Sequence, residues 1–271
     1  MSSYFVSFDP RMPMEENLPT FSSMEDPRVV GLVKDAAGVF LPTYVTPSRY
    51  DSIVRHSRSW FPRFQAKFRY CGKIRQVRLF RKLGVPHPPS LVFRDPEHLR
   101  SFFPKRGSPW GYPFVLKGDT GGGGSRVFPV RHPQELEVRL AGLPPDEPVL
   151  IQQWVDHGGK DLRVVVYGDA AVSYFRIGGG TFYNNLCRGG REDHASCPEL
   201  QEMGRFAALD LCARAEIDLA GLDLMFPPRS RPVFVEINFH FGRKGLGGTP
   251  GHRRHLSEAV RRWRERILRG L

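Results

Sequence analysis

The sequence predicts an α+β protein in which short strands and helices are interspersed rather than strictly alternating. Two observations carry this. Compact apolar runs bounded by turn residues read as strands at Phe114 to Lys117, Arg126 to Val130, Val149 to Trp154, Arg163 to Tyr167, Ala171 to Ile177, Leu222 to Phe226 and Pro232 to Asn238. Between them lie stretches with helical periodicity, the longest from Pro198 to Ala215.

Taken in order, residues 1–70 are the least informative. Tyr4 to Phe8, Val29 to Val33 and Val39 to Leu41 read as short strands among Pro, Ser and acidic residues, and no clean βαβ pattern emerges. Ser48 followed by Asp51 resembles a helix start. From Gly72 to Leu83, Ile74, Val77, Leu79 and Phe80 recur near helical spacing, and Gly84-Val85-Pro86 ends the run. A strand over Leu91 to Phe93 and a short helix from Asp95 to Phe103 follow, then a linker from Pro104 to Pro113. The strand ending at Lys117 enters a glycine hairpin, Gly118 to Ser125, and a helix from Pro133 to Leu140 leads to the strand at Val149. A small unit at about 108–155 is thereby expected to act as a mobile lid. The divisions are a reduced N-terminal region at 1–70 and a main domain at 71–271.

Of 271 residues, 40% are hydrophobic and 25% charged, ordinary values for a folded soluble chain. No apolar run is long enough for a membrane span and no secretory signal is visible, so a cytoplasmic protein without a membrane partner is expected. Cys71, Cys187, Cys197 and Cys212 have no CxxC spacing and are read as reduced thiols. The formal charge of +12 fits a nucleic acid, an acidic surface or a nucleotide triphosphate. Much of it lies in Arg49 to Lys82 and Arg253 to Arg269, which equally suit solvated helix faces.

Three constellations bear chemistry. Lys117 precedes glycines whose backbone N–H groups could grip phosphate oxygens, although such a hairpin also serves as a plain flexible turn. Glu236 and Asn238 are two apart on a strand and share a face; with Asp223 they form an oxygen-rich set suited to Mg²⁺. Arg163, Arg176, Asn184, Asn185 and Arg188 lie between the two, and guanidinium groups suit phosphoryl oxygens. His240 is read either as a neighbour of the metal or as a packing residue.

The order Lys73, Phe-Val-Leu-Lys117, Leu-Ile-Gln-Gln-Trp-Val, Lys160-Asp161-Leu-Arg163, Asn185-Leu-Cys-Arg188-Gly-Gly, Gly221-Leu-Asp223 and Val-Glu236-Ile-Asn238 resembles the ATP-grasp superfamily, nearest its RimK-like branch, over about Gly72 to Gly242. The resemblance implies two α+β subdomains clasping ATP, with Lys73 and Lys117 on the phosphates and Gln153-Trp154 as the adenine hinge. It implies Asp161 on the ribose and Tyr183, Asn184 and Asn185 at the border of the nucleotide site. Asp223, Glu236 and Asn238 would hold two Mg²⁺, with Mn²⁺ able to replace them, and Arg176 and Arg188 would face an acyl phosphate. The implied reaction joins a carboxylate to an amine acceptor, an acidic peptide among the candidates. Phosphoryl transfer without amide formation and a non-catalytic nucleotide- or RNA-binding module are the alternatives; the completeness of the metal and phosphate set disfavours nucleic acid.

Two departures stand out. Phe239-His240-Phe241-Gly242-Arg243-Lys244 replaces the small residues and Pro-Gly usual after the Asn, and only 72 residues precede Lys73. Leu256, Val260, Trp263 and Ile267 form an apolar stripe for packing on the body or on a second subunit, which leaves a homo-oligomer open.

Overall fold

The computed structural model describes residues 4–180, 182–227 and 231–270. The N-terminal part comprises β1 (Phe5–Ser7), β2 (Glu16–Asn17), α1 (Pro27–Asp35), β3 (Gly38–Phe40), α2 (Pro47–Val54) and β4 (Trp60–Phe61). Its sheet is parallel, in the order β2-β1-β3-β4. The strand expected over Val29 to Val33 is instead the middle of α1, so β1-α1-β3-α2-β4 is a right-sized pair of crossovers where no βαβ pattern was expected. The helix prevails because Asp26 accepts from the Arg28 N–H, Pro27 occupies the first turn, and only Val29 and Val33, four apart, are buried. In α2 the cap is Thr46, ahead of Pro47, rather than Ser48.

The second part runs through α3 (Gln65–Arg69), α4 (Lys73–Leu83), β5 (Ser90–Phe93), α5 (Pro96–Arg106), β6 (Phe114–Gly118), β7 (Val127–Val130), α6 (Pro133–Ala141) and β8 (Val149–Gln153). Its antiparallel sheet has the order β5-β8-β6-β7, so the strand at Ser90 belongs to the same sheet as the glycine hairpin. Asp95 caps α5 by accepting from the His98 N–H at 2.7 Å, and the helix continues to Arg106, past the expected end at Phe103.

The third part contains β9 (Lys160–Tyr167), β10 (Ala170–Ile177), β11 (Arg191–Asp193), α7 (Pro198–Ala215), β12 (Leu219–Met225), β13 (Val233–Asn238) and α8 (Gly248–Leu268). The sheet is antiparallel, β11-β10-β9-β12-β13. One face packs on α7 and α4 through Leu162, Val164, Leu222, Leu224, Phe80 and Leu211. Part of the other meets α8 and the N-terminal sheet through Val165, Tyr167, Phe5, Phe40 and Trp263. The remainder of that second face is polar and looks toward the glycine hairpin. Among the described residues no helix is long and apolar enough to cross a membrane, and the four cysteines are free.

Candidate active site

Strand register gathers the charged residues. Asp161 and Arg163 are two apart on β9, as are Glu236 and Asn238 on β13; Asp161 stands opposite Arg176, and Asp223 stands opposite both Arg163 and Glu236. All therefore share one sheet face. Arg163 Nε donates to Asp223 Oδ1 at 2.5 Å and its Nη2 to Oδ2 at 3.2 Å. Arg176 Nη2 lies 3.1 Å from Asp223 Oδ2, and its Nε donates to Asp161 Oδ1 at 3.0 Å with a second, tighter contact to Asp161 Oδ2. Asn238 Nδ2 donates to Asp223 Oδ2 at 3.2 Å. Two guanidiniums and two carboxylates thus cancel in a buried network, each no more than 6% exposed. Burial opposes the charge on Asp223, but Arg163 and Arg176 prevail and hold its carboxyl below the usual range.

Across the cleft, Lys117 is fully buried near the end of β6. Its ammonium donates to Gln152 Oε1 at 2.6 Å, and Gln152 Nε2 donates to Ser90 Oγ at 2.9 Å. Burial pushes Lys117 down to about 8, with Lys73 adding to the shift and Glu236 opposing it. Lys73 opens α4, which has no side-chain cap of its own. Asp119, in the loop after β6, supplies one: its carbonyl accepts from the Lys73 N–H at 3.0 Å and its Oδ1 from the Ile74 N–H at 2.8 Å. Lys73 Nζ is thereby held 3.5 Å from Glu236 Oε1 and 3.2 Å from the Gly121 carbonyl. One turn further along the same face of α4, Gln76 exchanges hydrogen bonds with the backbone of Ile237 at 2.7 and 2.8 Å, fixing the strand that carries Glu236 and Asn238.

Lys117, Gln153, Trp154, Asp161, Arg176, Tyr183, Asn184, Asn185, Asp223 and Glu236 line one cleft of about 740 Å³. Trp154 lies 5.4 Å from the Phe182 ring, at an apolar end. Asn184 is buried, with Nδ2 3.3 Å from His157 Nδ1, while its Oδ1 has no hydrogen-bond partner among the described residues. Asp161 reaches the wall of the cleft, but both its oxygens accept from Arg176. Lys73 and Asn238 line an adjoining cleft of about 1110 Å³, and Arg176, Asp223, Glu236 and Asn238 face a third of about 850 Å³. His240 borders both of these, and burial lowers its pKa. Arg188 lines none of the three: its Nε donates to the Gly123 carbonyl at 2.9 Å and its guanidinium lies 4.2 Å over the Tyr183 ring. Tyr183 in turn donates to the Val127 carbonyl at 2.8 Å, so the loop after β10 grips the glycine hairpin from both sides.

The oxygen set tests well for a hard cation in part. Glu236 has one oxygen near Lys73 and a side chain 26% exposed, and the Asn238 amide oxygen accepts no hydrogen bond among the described residues. Among the described residues Asp223 Oδ1 accepts only from Arg163, whereas Oδ2 already has three donors, leaving Oδ1 as its available ligand atom. Among the described residues no group of three or more His, Cys, Asp or Glu is placed to hold a metal, so substrate oxygens would have to complete any coordination sphere. Gln152 and Asp119, which place Lys117 and Lys73, lie within the Gln-Gln-Trp run and the glycine hairpin but are given no role there by the resemblance, and Gln76, which fixes β13, carries no motif that would have marked it in the sequence.

A family model described as the RimK-like ATP-grasp domain matches residues 71–251. β-Citrylglutamate synthase B of Danio rerio is 30% identical over 162 residues, which are 59% of this chain and 39% of that protein. The chain thus spans well under half of that relative. A RimK domain ATP-grasp protein from Sphaerobacter thermophilus superposes with a TM-score of 0.58 at 18% identity, covering 83% of this chain and 81% of the other. The ATP-grasp ligase PsnB, complexed with precursor peptide PsnA2 and AMPPNP, gives 0.55 at 17% identity over 83% of this chain and 78% of its own. At such identities these structures share the fold.

Proposed function

The chain belongs to the RimK-like ATP-grasp family, and from that premise we propose that it is an ATP- and Mg²⁺-dependent ligase that couples a carboxylate to an amine. The observation that carries this reading is the opposition of Lys73 and Lys117 on one wall to Glu236, Asn238 and the Arg163–Asp223–Arg176–Asp161 network on the other. Cations that converge on a buried cleft suit a polyphosphate, and the apolar end beside Trp154 and Phe182 suits a base. The glycine hairpin, held by Tyr183 and Arg188, covers the site and would exclude water from a hydrolysable intermediate.

In this reading a carboxylate oxygen bonds to the γ-phosphorus and the bond to the β-phosphate oxygen breaks, releasing ADP. The amine nitrogen then bonds to the acyl carbon, phosphate departs, and the nitrogen loses its proton to phosphate or solvent. Glu236, Asn238 and Asp223 Oδ1 would hold Mg²⁺, which screens the repulsion between the anionic nucleophile and the nucleotide. Lys73 and Lys117 would bind the phosphates, Arg176 would stabilise charge near the acyl phosphate through its buried position, and Arg188 would act by holding the hairpin.

Asp223→Asn is a poor test of the metal, because it leaves Arg163 and Arg176 buried with Asp161 alone. Glu236→Gln, on a partly exposed side chain, avoids this. Calorimetric titration of ATP with and without Mg²⁺ is expected to show binding that Mg²⁺ strengthens in the wild type, with that gain reduced about tenfold in Glu236→Gln. Absence of ATP binding to the folded wild type would end the ligase reading. An undiminished Mg²⁺ effect in the variant would remove Glu236 from the metal site.

A further inference from the structure

Among the described residues three tyrosines are almost wholly buried, Tyr50, Tyr167 and Tyr174. A hydroxyl withdrawn from water ordinarily finds a protein partner, because an unpaired one forfeits its hydration. Tyr50 donates to Gln65 Oε1 at 2.5 Å and accepts from Trp60 Nε1 at 2.6 Å, and the Tyr167 hydroxyl meets His252 Nδ1 at 2.8 Å. Tyr174, 2% exposed, makes no hydrogen bond among the described residues. Its oxygen is not sealed in as Asn184 Oδ1 is, so the access it keeps is to the cleft of about 850 Å³ that Tyr174 lines.

Strand register puts Tyr174 on the charged face. It stands two before Arg176 on β10 and directly opposite Arg163 on β9. Nε and Nη2 of both guanidiniums are drawn to Asp161 and Asp223, whereas the Tyr174 hydroxyl beside them is uncommitted. The ring is held in place: the His194 ring lies 5.3 Å from it, and the turn Lys244–Leu246 closes over its outer end so tightly that a Cβ on Gly245 would collide with Cζ and Cε2. Gly245, just beyond the segment that departs from the family after Asn238, is what clears the ring.

The location of the hydroxyl selects the atom it meets. Arg176, Asp223 and Glu236 line both this cleft and the one that holds Lys117, Gln153 and Trp154, but Tyr174 lines the first and not the second. Lys73 and Lys117, the phosphate ligands of the ligase reading, form no part of its wall. The space bordered by Leu186, Phe241 and Arg243 therefore lies beyond the phosphates, on the side of the acyl group. Burial raises the Tyr174 pKa, which keeps the hydroxyl in its donating form.

We propose that Tyr174 is a further catalytic residue of the ligase, its hydroxyl donating a hydrogen bond to the acyl oxygen of the mixed anhydride, where negative charge collects as the amine adds. The inference rests on the ligase reading above. When the amine nitrogen bonds to the acyl carbon, an electron pair of the carbon–oxygen double bond moves onto that oxygen. The pair returns as the bond to phosphate breaks, and Tyr174 keeps its proton throughout. A neutral donor gains most where charge develops, so it favours the addition over the resting anhydride.

Calorimetry on the full chain saturated with ADP and Mg²⁺ would use two stable phosphonates as probes: acetonylphosphonate, which keeps the carbonyl of an acyl phosphate, and propylphosphonate, which lacks it. The wild type is expected to bind the ketone about fivefold more tightly, the size of one neutral hydrogen bond. Tyr174→Phe is expected to bind both probes alike, with propylphosphonate as in the wild type. Its thermal midpoint should equal or exceed that of the wild type, since the hydroxyl has no protein partner to lose, and a structural role would lower it. Equal binding of the two probes by the wild type, binding of neither, a ketone preference that survives in the variant, or a lowered midpoint with both probes weakened alike would overturn the proposal. Failure of ADP to bind the folded wild type would remove the ligase reading and the proposal with it, whereas ADP binding without a ketone preference overturns the proposal alone.

Discussion

Lys117 is buried with an uncharged partner, Gln152, so its ammonium is held with little compensation and titrates near pH 8. Phosphate oxygens favour the charged form. Nucleotide affinity should therefore be full below about pH 8 and fall as the pH rises through it, approaching about tenfold per unit well above. Titrating AMP-PNP across about pH 7 to 9 checks this, and Lys117→Met should bind more weakly with that slope removed. A wild-type affinity independent of pH would mean that Lys117 does not meet the phosphates. At this scale the sequence shows which side chains can act but not whom they meet. Glu236 and Asn238 share a face by spacing alone. The pairing of Arg163 with Asp223, 60 residues apart, depends on the register of β9 against β12, which local pattern does not contain. Arg188 is an example of the same limit: its residue type suits an oxyanion, while its contacts are with Gly123 and Tyr183.

Between elements, the joint that matters most for the site is Asp119 on the first turn of α4. Gly72, at φ 90°, lets the chain turn into that helix, and a Cβ there would lie 2.7 Å from Asp119 Oδ2. Asp119→Ala should remove one cap hydrogen bond, costing about 1 kcal/mol in denaturant unfolding. It should also weaken AMP-PNP binding by freeing Lys73 from its place beside Glu236. Loss of stability with unchanged nucleotide affinity would show that the cap serves only the fold. The helices at α4 and α7 and the strands of the two antiparallel sheets, apart from the charged edge strand β11, were legible because apolar periodicity and turn residues agree there. α1 was not, because Val29-Val30-Gly31-Leu32-Val33 has the composition of a strand, and only the preceding Asp26-Pro27 marks a helix start. The place of Ser90–Phe93 beside β8 was hidden for another reason: its partner strand lies across two intervening helices and a hairpin.

For the whole molecule, the question is how a short N-terminal sheet stays folded on so little chain. Its second face has no separate core: Phe5, Phe40 and Phe61 share one with Val165, Tyr167, Leu219, Leu256, Val260 and Trp263. The apolar stripe of α8 is thus spent within the chain, and the basic residues behind it are largely paired, Arg262 and Arg266 with Asp169 and Arg264 with Glu15. That pairing removes much of the case for the C-terminal helix as a nucleic-acid surface. Trp263 is the centre of the arrangement, 5.4 Å edge-on from Phe5 and stacked at 5.8 Å on Phe61, with its indole N–H 3.3 Å from Ser59 Oγ. It fits so closely against β3 that a Cβ on Gly38 would lie 2.7 Å from its ring. Trp263→Ala should therefore open a cavity between the N-terminal sheet and the rest, costing about 3–5 kcal/mol. Because one core serves both parts, thermal unfolding should remain a single transition at a lower temperature, followed by circular dichroism and by fluorescence of the remaining tryptophans. If instead the variant splits into two transitions, one of them at the wild-type temperature, the N-terminal sheet and the nucleotide-binding body are independent folding units and the shared core does not couple them.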